Sequence, residues 1–172
     1  MKNIILSIAF LLPLLGFSQS LKIKSNLVKV TFVADMQNTS GSIGGFEAKI
    51  NFDKNDLTKS TISGSVDVST LDTGTKKRDE HLKSEDYFNA AKYPKMTFTS
   101  TSIVEKDNQL IMTGKLKIKE TVREEVVIFT FSDNVFTGTM KINATDYEMG
   151  NFSKKKPEKT NIKIKFEIPV GE

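Results

Sequence analysis

Apolar and polar residues alternate with a period of two along most of this chain. Over residues 28–36, Val28, Val30, Phe32, Ala34 and Met36 share one face. Over 46–52, Phe46, Ala48, Ile50 and Phe52 oppose Glu47, Lys49 and Asn51. The same pattern returns at 62–68, 110–119, 136–143 and 161–170, with Lys, Ser and Thr on the polar side. Two further strands are expected at 95–103 and 124–132; the second is apolar on both faces from Val126 to Phe129, which leaves its register open. Period-two alternation is the signature of strands with one face buried. The stretches "NTSGSIGG", "DKND", "EKDNQ" and "SDN" supply turn chemistry between them. The expectation is an all-β fold of eight antiparallel strands, apolar inside and polar outside. Gly64, Gly114 and Gly138 fall on the apolar faces, where they favour a sheet that curls and closes into a barrel over a flat sandwich.

One stretch breaks the alternation. Between Leu71 and Met96 the charges crowd together, and the single histidine of the chain, His81, lies among them. Thr75 is a candidate N-cap for "KKRDEHL", and Ser84 for a second helical segment that Tyr93-Pro94 would stop. Leu82, Tyr87 and Phe88 give this segment an apolar side. A short helical crossover at about 75–92, covering one end of the barrel, is predicted.

The N-terminus reads separately. Lys2, the apolar run "IILSIAFLLPLLGF", and the small residues Gly16 and Ser18 form a secretory signal peptide over 1–18, cut before Gln19. The remaining residues, 19–172, suit one domain with one core, in the periplasm or secreted. The run is short for a membrane span, and no second one follows, so an integral membrane protein is not expected. The chain has no cysteine, hence no disulfides and no thiolate chemistry. The formal net charge of +4 comes from lysines spread along strands rather than gathered on one element, which does not point to nucleic acid. The loop "GNFSKKKPEKTN" concentrates Lys154, Lys155, Lys156 and Lys159; it reads as a solvated connection or as an attraction for anionic lipid.

Catalytic chemistry finds little support. Arg78, Asp79 and His81 are close in sequence, and a His–Asp pair can act as a general base. No serine elbow, cysteine or phosphate loop accompanies them, and one histidine cannot build a typical zinc site. No catalytic residue, metal or cofactor is expected. Arg78 and Asp79 read as partners of each other or of backbone.

The run "STLDTGTKKRDEHLKSEDYFNAAKYPKMTFTST" resembles the signature segment of the YceI-like family, carried here by Ser69, Asp72, Thr73, Gly74, Arg78, Asp79, His81, Leu82, Ser84, Asp86, Tyr87, Phe88, Tyr93, Pro94, Phe98 and Ser100. "SIGGFEAKINFD" and "GKLKIKETVREEV" resemble the family's flanking segments. The resemblance implies an exported, lipocalin-like barrel that binds polyisoprenoids and related amphiphiles. The chain departs from the family at Lys24, Leu27 and Val28, where an acidic residue and His-Ser are frequent, and at Ala144, where Arg is frequent.

An eight-stranded barrel is either filled by side chains or holds one small ligand. Composition alone fits both, and the resemblance favours a ligand. The expected function is therefore binding or carriage of an isoprenoid-like or fatty amphiphile, without bond-breaking chemistry. Inward parity and size select Phe32, Phe46, Phe98, Met112, Phe136 and Met140 as candidate wall residues. Arg78, His81, Tyr87 and Phe88 are candidates for covering the end or meeting a head group. The alternative is an interaction module: a filled barrel docking a protein partner. Transient membrane contact and a homodimer stay open.

Overall fold

The computed structural model describes residues 19–150 and 157–171. The signal-peptide segment and Lys154, Lys155 and Lys156 lie outside the described residues. The strands are β1 (Gln19–Ile23), β2 (Lys29–Ala34), β3 (Thr39–Ser42), β4 (Glu47–Phe52), β5 (Thr61–Asp67), β6 (Lys95–Lys106), β7 (Gln109–Ile118), β8 (Thr121–Ser132), β9 (Val135–Asn143) and β10 (Asn161–Gly171). A single α-helix among the described residues, α1 (Lys76–Lys83), joins β5 to β6.

All neighbouring strands pair antiparallel in one sheet of ten strands, and β1 pairs with β10 as well as with β4, which closes the ring. The count of ten and the expected eight describe the same architecture. β1 and β2 are two halves of one strand, broken by a 3-10 turn at Ser25–Leu27, and both run along β10. β3 and β4 are likewise two halves, broken at residues 43–46. The ladder between these two broken strands runs up to Leu21↔Ile50 and resumes at Thr31↔Ser42, so the barrel wall has a seam.

The alternation read from the sequence decides what goes inside. Val30, Ala34, Ile50, Ile103, Met112, Leu116, Ile118, Val127, Phe129, Phe136, Met140, Ile142 and Ile168 are buried. In β8 the ambiguity resolves with Val127 and Phe129 inward and Val126 and Ile128 outward. Two inward glycines are explained by close approach. A Cβ on Gly114 would lie 2.3 Å from Phe98 Cζ and 2.6 Å from the Thr99 carbonyl oxygen. A Cβ on Gly138 would lie 2.3 Å from Phe129 Cδ1. Each glycine leaves room for a phenylalanine ring from the neighbouring strand to lie across the barrel wall.

The crossover is in its expected place, but only its first half is helical. Thr75 takes the N-cap position through its carbonyl oxygen, which accepts from the Arg78 and Asp79 amides, rather than through its side chain. Ser84 starts no second helix. Its hydroxyl donates to the His81 carbonyl at 2.7 Å and so closes the end of α1. Turns follow, with Asn89 in the left-handed region at φ 48°, a conformation asparagine tolerates better than most residues.

Candidate functional site

The two ends of the barrel differ. At the end opposite the crossover, Phe52, Phe129, Phe131 and Phe136 form an aromatic cluster. Phe52 meets Phe136 edge-on at 5.5 Å between centroids, and Phe131 stacks on Phe136 at 4.3 Å. Such edge-on and stacked pairs add to the stabilisation from burial itself. Phe136 is only 1% exposed, and the cluster plugs this end.

From the plug toward the crossover runs a cavity of about 340 Å³. Ile50, Met112, Phe129 and Ile168 line its deep part, and Phe32, Phe46, Phe98 and Met140 its sides. The flexible side chains of Met36, Met96 and Met149 also border it, and methionine adapts to irregular apolar shapes. Of the wall candidates, Phe136 is the exception: it belongs to the plug and does not line the cavity, because its place near the start of β9 sets it at the closed end. Parity gave its direction correctly, but parity carries no information on height along the barrel.

The mouth lies under the crossover. Arg78, His81, Leu82, Tyr87 and Phe88 all border the cavity there, as do Thr39 and Ile43. Local chemistry fixes this arrangement. Arg78 Nε donates to Thr73 Oγ1 at 2.8 Å, and its Nη2 donates to the Thr73 carbonyl at 2.7 Å. The Thr73 amide donates to Asp79 Oδ1 at 2.8 Å, and the Thr73 hydroxyl donates to the same oxygen. Arg78 and Asp79 thus both grip Thr73. The hydrogen bonds from Thr73 hold the Asp79 carboxyl below the usual carboxylate range. Asp72 joins the knot: Oδ1 accepts from the Gly74 amide at 2.7 Å, while the Asp72 backbone bridges to Ser42. His81 lies edge-on against the Tyr87 ring at 4.8 Å.

Further ties hold the far part of the crossover. The Gly150 amide donates to the Asp86 carbonyl at 2.9 Å, and Glu120 accepts from the Tyr93 hydroxyl and pairs with Lys92 at 3.3 Å. The 3-10 turn Ala144–Tyr147 tucks beneath this region. Ala144 and Met149 add apolar lining from outside any strand; Ala144 keeps the inward parity of β9 one residue past its end, whereas no alternation reaches Met149. Tyr147 is fully buried and donates its hydroxyl to Glu125 at 2.7 Å. Burial, reinforced by Glu125, pushes the phenol well above its ordinary range.

Among the described residues no helix is long and apolar enough to cross a membrane. Solved structures share this architecture. Burkholderia cenocepacia BcnA superposes with a TM-score of 0.79 at 27% identity, over 88% of this chain and all of that one. A polyisoprenoid binding domain from Saccharophagus degradans superposes with a TM-score of 0.62, over 86% of this chain and 95% of that one; at 13% identity the likeness is one of fold. Among curated relatives, Protein YceI of Escherichia coli O157:H7 is 35% identical over 78 residues, which is 45% of this chain and 41% of that protein. A UPF0312 protein of Photorhabdus laumondii is 30% identical over 87 residues, 51% of this chain and 45% of that protein. The matched stretch therefore spans less than half the length of either relative. The profile of the YceI-like domain, however, matches residues 21–170, almost the whole described barrel, and the chain belongs to the YceI-like family.

Proposed function

We propose that the protein binds one amphiphile, tail inside the barrel and polar head at the mouth beside Arg78 and His81, and performs no chemistry on it. The observation that carries this reading is the cavity. Its volume of about 340 Å³ lies within the range of small-molecule sites, and its lining is predominantly apolar. A barrel that served only as a docking module would have no use for an unfilled interior. The fold likeness to a domain described as polyisoprenoid binding supports the tail being isoprenoid-like or fatty. The reading of residues 1–18 as a secretory signal peptide supports a carrier in the periplasm or outside the cell, where it would sequester or ferry its ligand through water.

The test is native mass spectrometry of the purified barrel, followed by solvent extraction and lipid analysis. A discrete extra mass that reappears in the extract as a long-chain amphiphile supports the proposal and names the ligand class. A protein that arrives empty, and whose mass and melting temperature do not change with added isoprenoid alcohols or fatty acids, refutes it.

A further inference from the structure

We propose that the outer wall formed by β6, β7 and β8 docks the barrel on an anionic lipid surface. An antiparallel sheet with one buried face normally shows polar side chains on the other. Most of this barrel does so, but here the rule fails in one block. Val104 of β6, Ile111 of β7 and Ile128 of β8 stand side by side in register on the outer face. Val126 and Val122 continue the apolar positions along β8. Val104, Val122, Val126 and Ile128 are exposed by 52%, 51%, 47% and 40%. Nothing in the core requires aliphatic residues there, because the inward positions of the same strands are already apolar.

The charges around the block select its partner. Lys106, Lys115, Lys117 and Lys141 border it on β6, β7 and β9, and Lys163 follows in register with Lys141 on β10. None of these five makes an ion pair among the described residues. The acidic side chains on or beside this wall are fewer than the lysines: Glu124, in register with Lys115, Glu120, whose carboxyl Lys117 helps hold ionised, and Glu105, next to Lys106 on β6. A surplus of unpaired ammonium groups around an aliphatic centre complements a surface with anionic head groups over hydrocarbon. A second copy of the chain fits less well. A two-fold contact presents the same patch on both partners, so the lysine surplus would meet itself. A handful of half-exposed aliphatic side chains also falls short of the ~800 Å² per partner of a standard interface. The wall runs from Val122, near the mouth, to Val104, near the plug, so a docked barrel lies on its side with its mouth at the level of the lipid head groups.

The experiment uses the barrel from Gln19 onward, because the apolar run of residues 1–18 would enter a bilayer by itself. Co-sedimentation is measured with phosphatidylcholine vesicles and with vesicles of phosphatidylcholine and phosphatidylglycerol. Binding should be at least about tenfold stronger to the anionic vesicles and should fall as salt screens the lysines. The pairs Val126→Thr with Ile128→Thr, and Lys115→Gln with Lys117→Gln, should each weaken it about tenfold or more. Melting temperature and amphiphile uptake should stay as in the parent, which separates this proposal from the reading of the cavity. Three results would overturn it: equal binding to both vesicle types, no binding at low salt, or full binding by both variant pairs. A concentration-dependent dimer abolished by the Val126/Ile128 pair would also overturn it, assigning the wall to a second copy.

Discussion

Replacing Gly114 by Ala tests how the barrel wall is packed. The new methyl group would sit 2.3 Å from Phe98 Cζ and 2.6 Å from the Thr99 carbonyl oxygen. The ring can swing away, but the carbonyl belongs to β6, whose ladder with β7 holds it in place. Overpacking of this kind costs about 1–3 kcal/mol. The gain from replacing a strand glycine by alanine offsets about 0.5–1 kcal/mol of that. The expected net destabilisation is about 1–2 kcal/mol, which for a domain near 150 residues lowers Tm by roughly 2–8 °C. Thermal unfolding followed by circular dichroism, with urea titrations for ΔΔG, measures it. Adding Phe98→Leu should restore only part of the loss, because the contact with the Thr99 carbonyl remains. At Gly138 the three nearest atoms to the added Cβ all belong to the Phe129 ring, so in Gly138→Ala the companion Phe129→Leu should relieve more of the strain. A Gly114→Ala protein as stable as the parent, or full rescue by Phe98→Leu, would show that the ring-over-glycine account is wrong.

Further outcomes are expected at the cavity, at Tyr147 and at the Thr73 knot. In a series of fatty acids, affinity should rise about fourfold per added methylene, at about 0.8 kcal/mol each, and level off once the cavity is full; isothermal titration that shows no length dependence would remove the tail from the cavity. Ala48→Leu, which projects into the cavity, should reduce uptake of the longest ligand while leaving the shortest in place. Tyr147 should be missing from the alkaline phenolate titration of the folded protein and appear only on unfolding. Its folded pKa lies above the unfolded value of about 10, so stability is retained below pH 10 and declines as pH rises beyond it. Asp79 has the opposite sign: its contribution is present above the unfolded carboxylate value and is lost as pH falls through the depressed folded value. The acid-side loss of stability should therefore be smaller in Asp79→Asn, as read from melting temperatures across the acid range.

The barrel was legible because inward and outward residues alternate over long strands such as β7 and β10, where one misplaced residue would reverse the whole pattern. The broken strands were harder to see. β1 is five residues long and begins with Gln19 and Ser20, and β3 is "TSGS", whose composition reads as a turn. Their pairing comes from long-range partners, β10 and β2, rather than from their own residues. The cavity candidates Phe32, Phe46, Phe98, Met112 and Met140 came from parity and size. Phe136 satisfied both criteria and still landed in the plug, since distance from the mouth depends on register and tilt. Met149 was missed because it reaches the cavity from a loop, and Ala144 because it lies one residue past the end of β9, although it keeps that strand's inward parity. The end of the crossover was misread for a local reason: Ser84 bonds backward to His81 instead of forward, and a favourable cap residue alone does not decide which side its helix lies on.

The Phe52–Phe131–Phe136 plug makes the barrel a cul-de-sac. A cavity closed at that end does not run through the barrel from end to end, so a ligand that enters at the mouth leaves on the same side of the plug. Were the bound amphiphile a cargo, as proposed, it could not be handed along a fixed chain of such barrels from one end to the other. On the proposed carrier reading, the whole molecule would have to leave its donor, travel, and present the same face to its acceptor. Donor and acceptor would then compete for the same mouth rather than occupy opposite ends of the barrel.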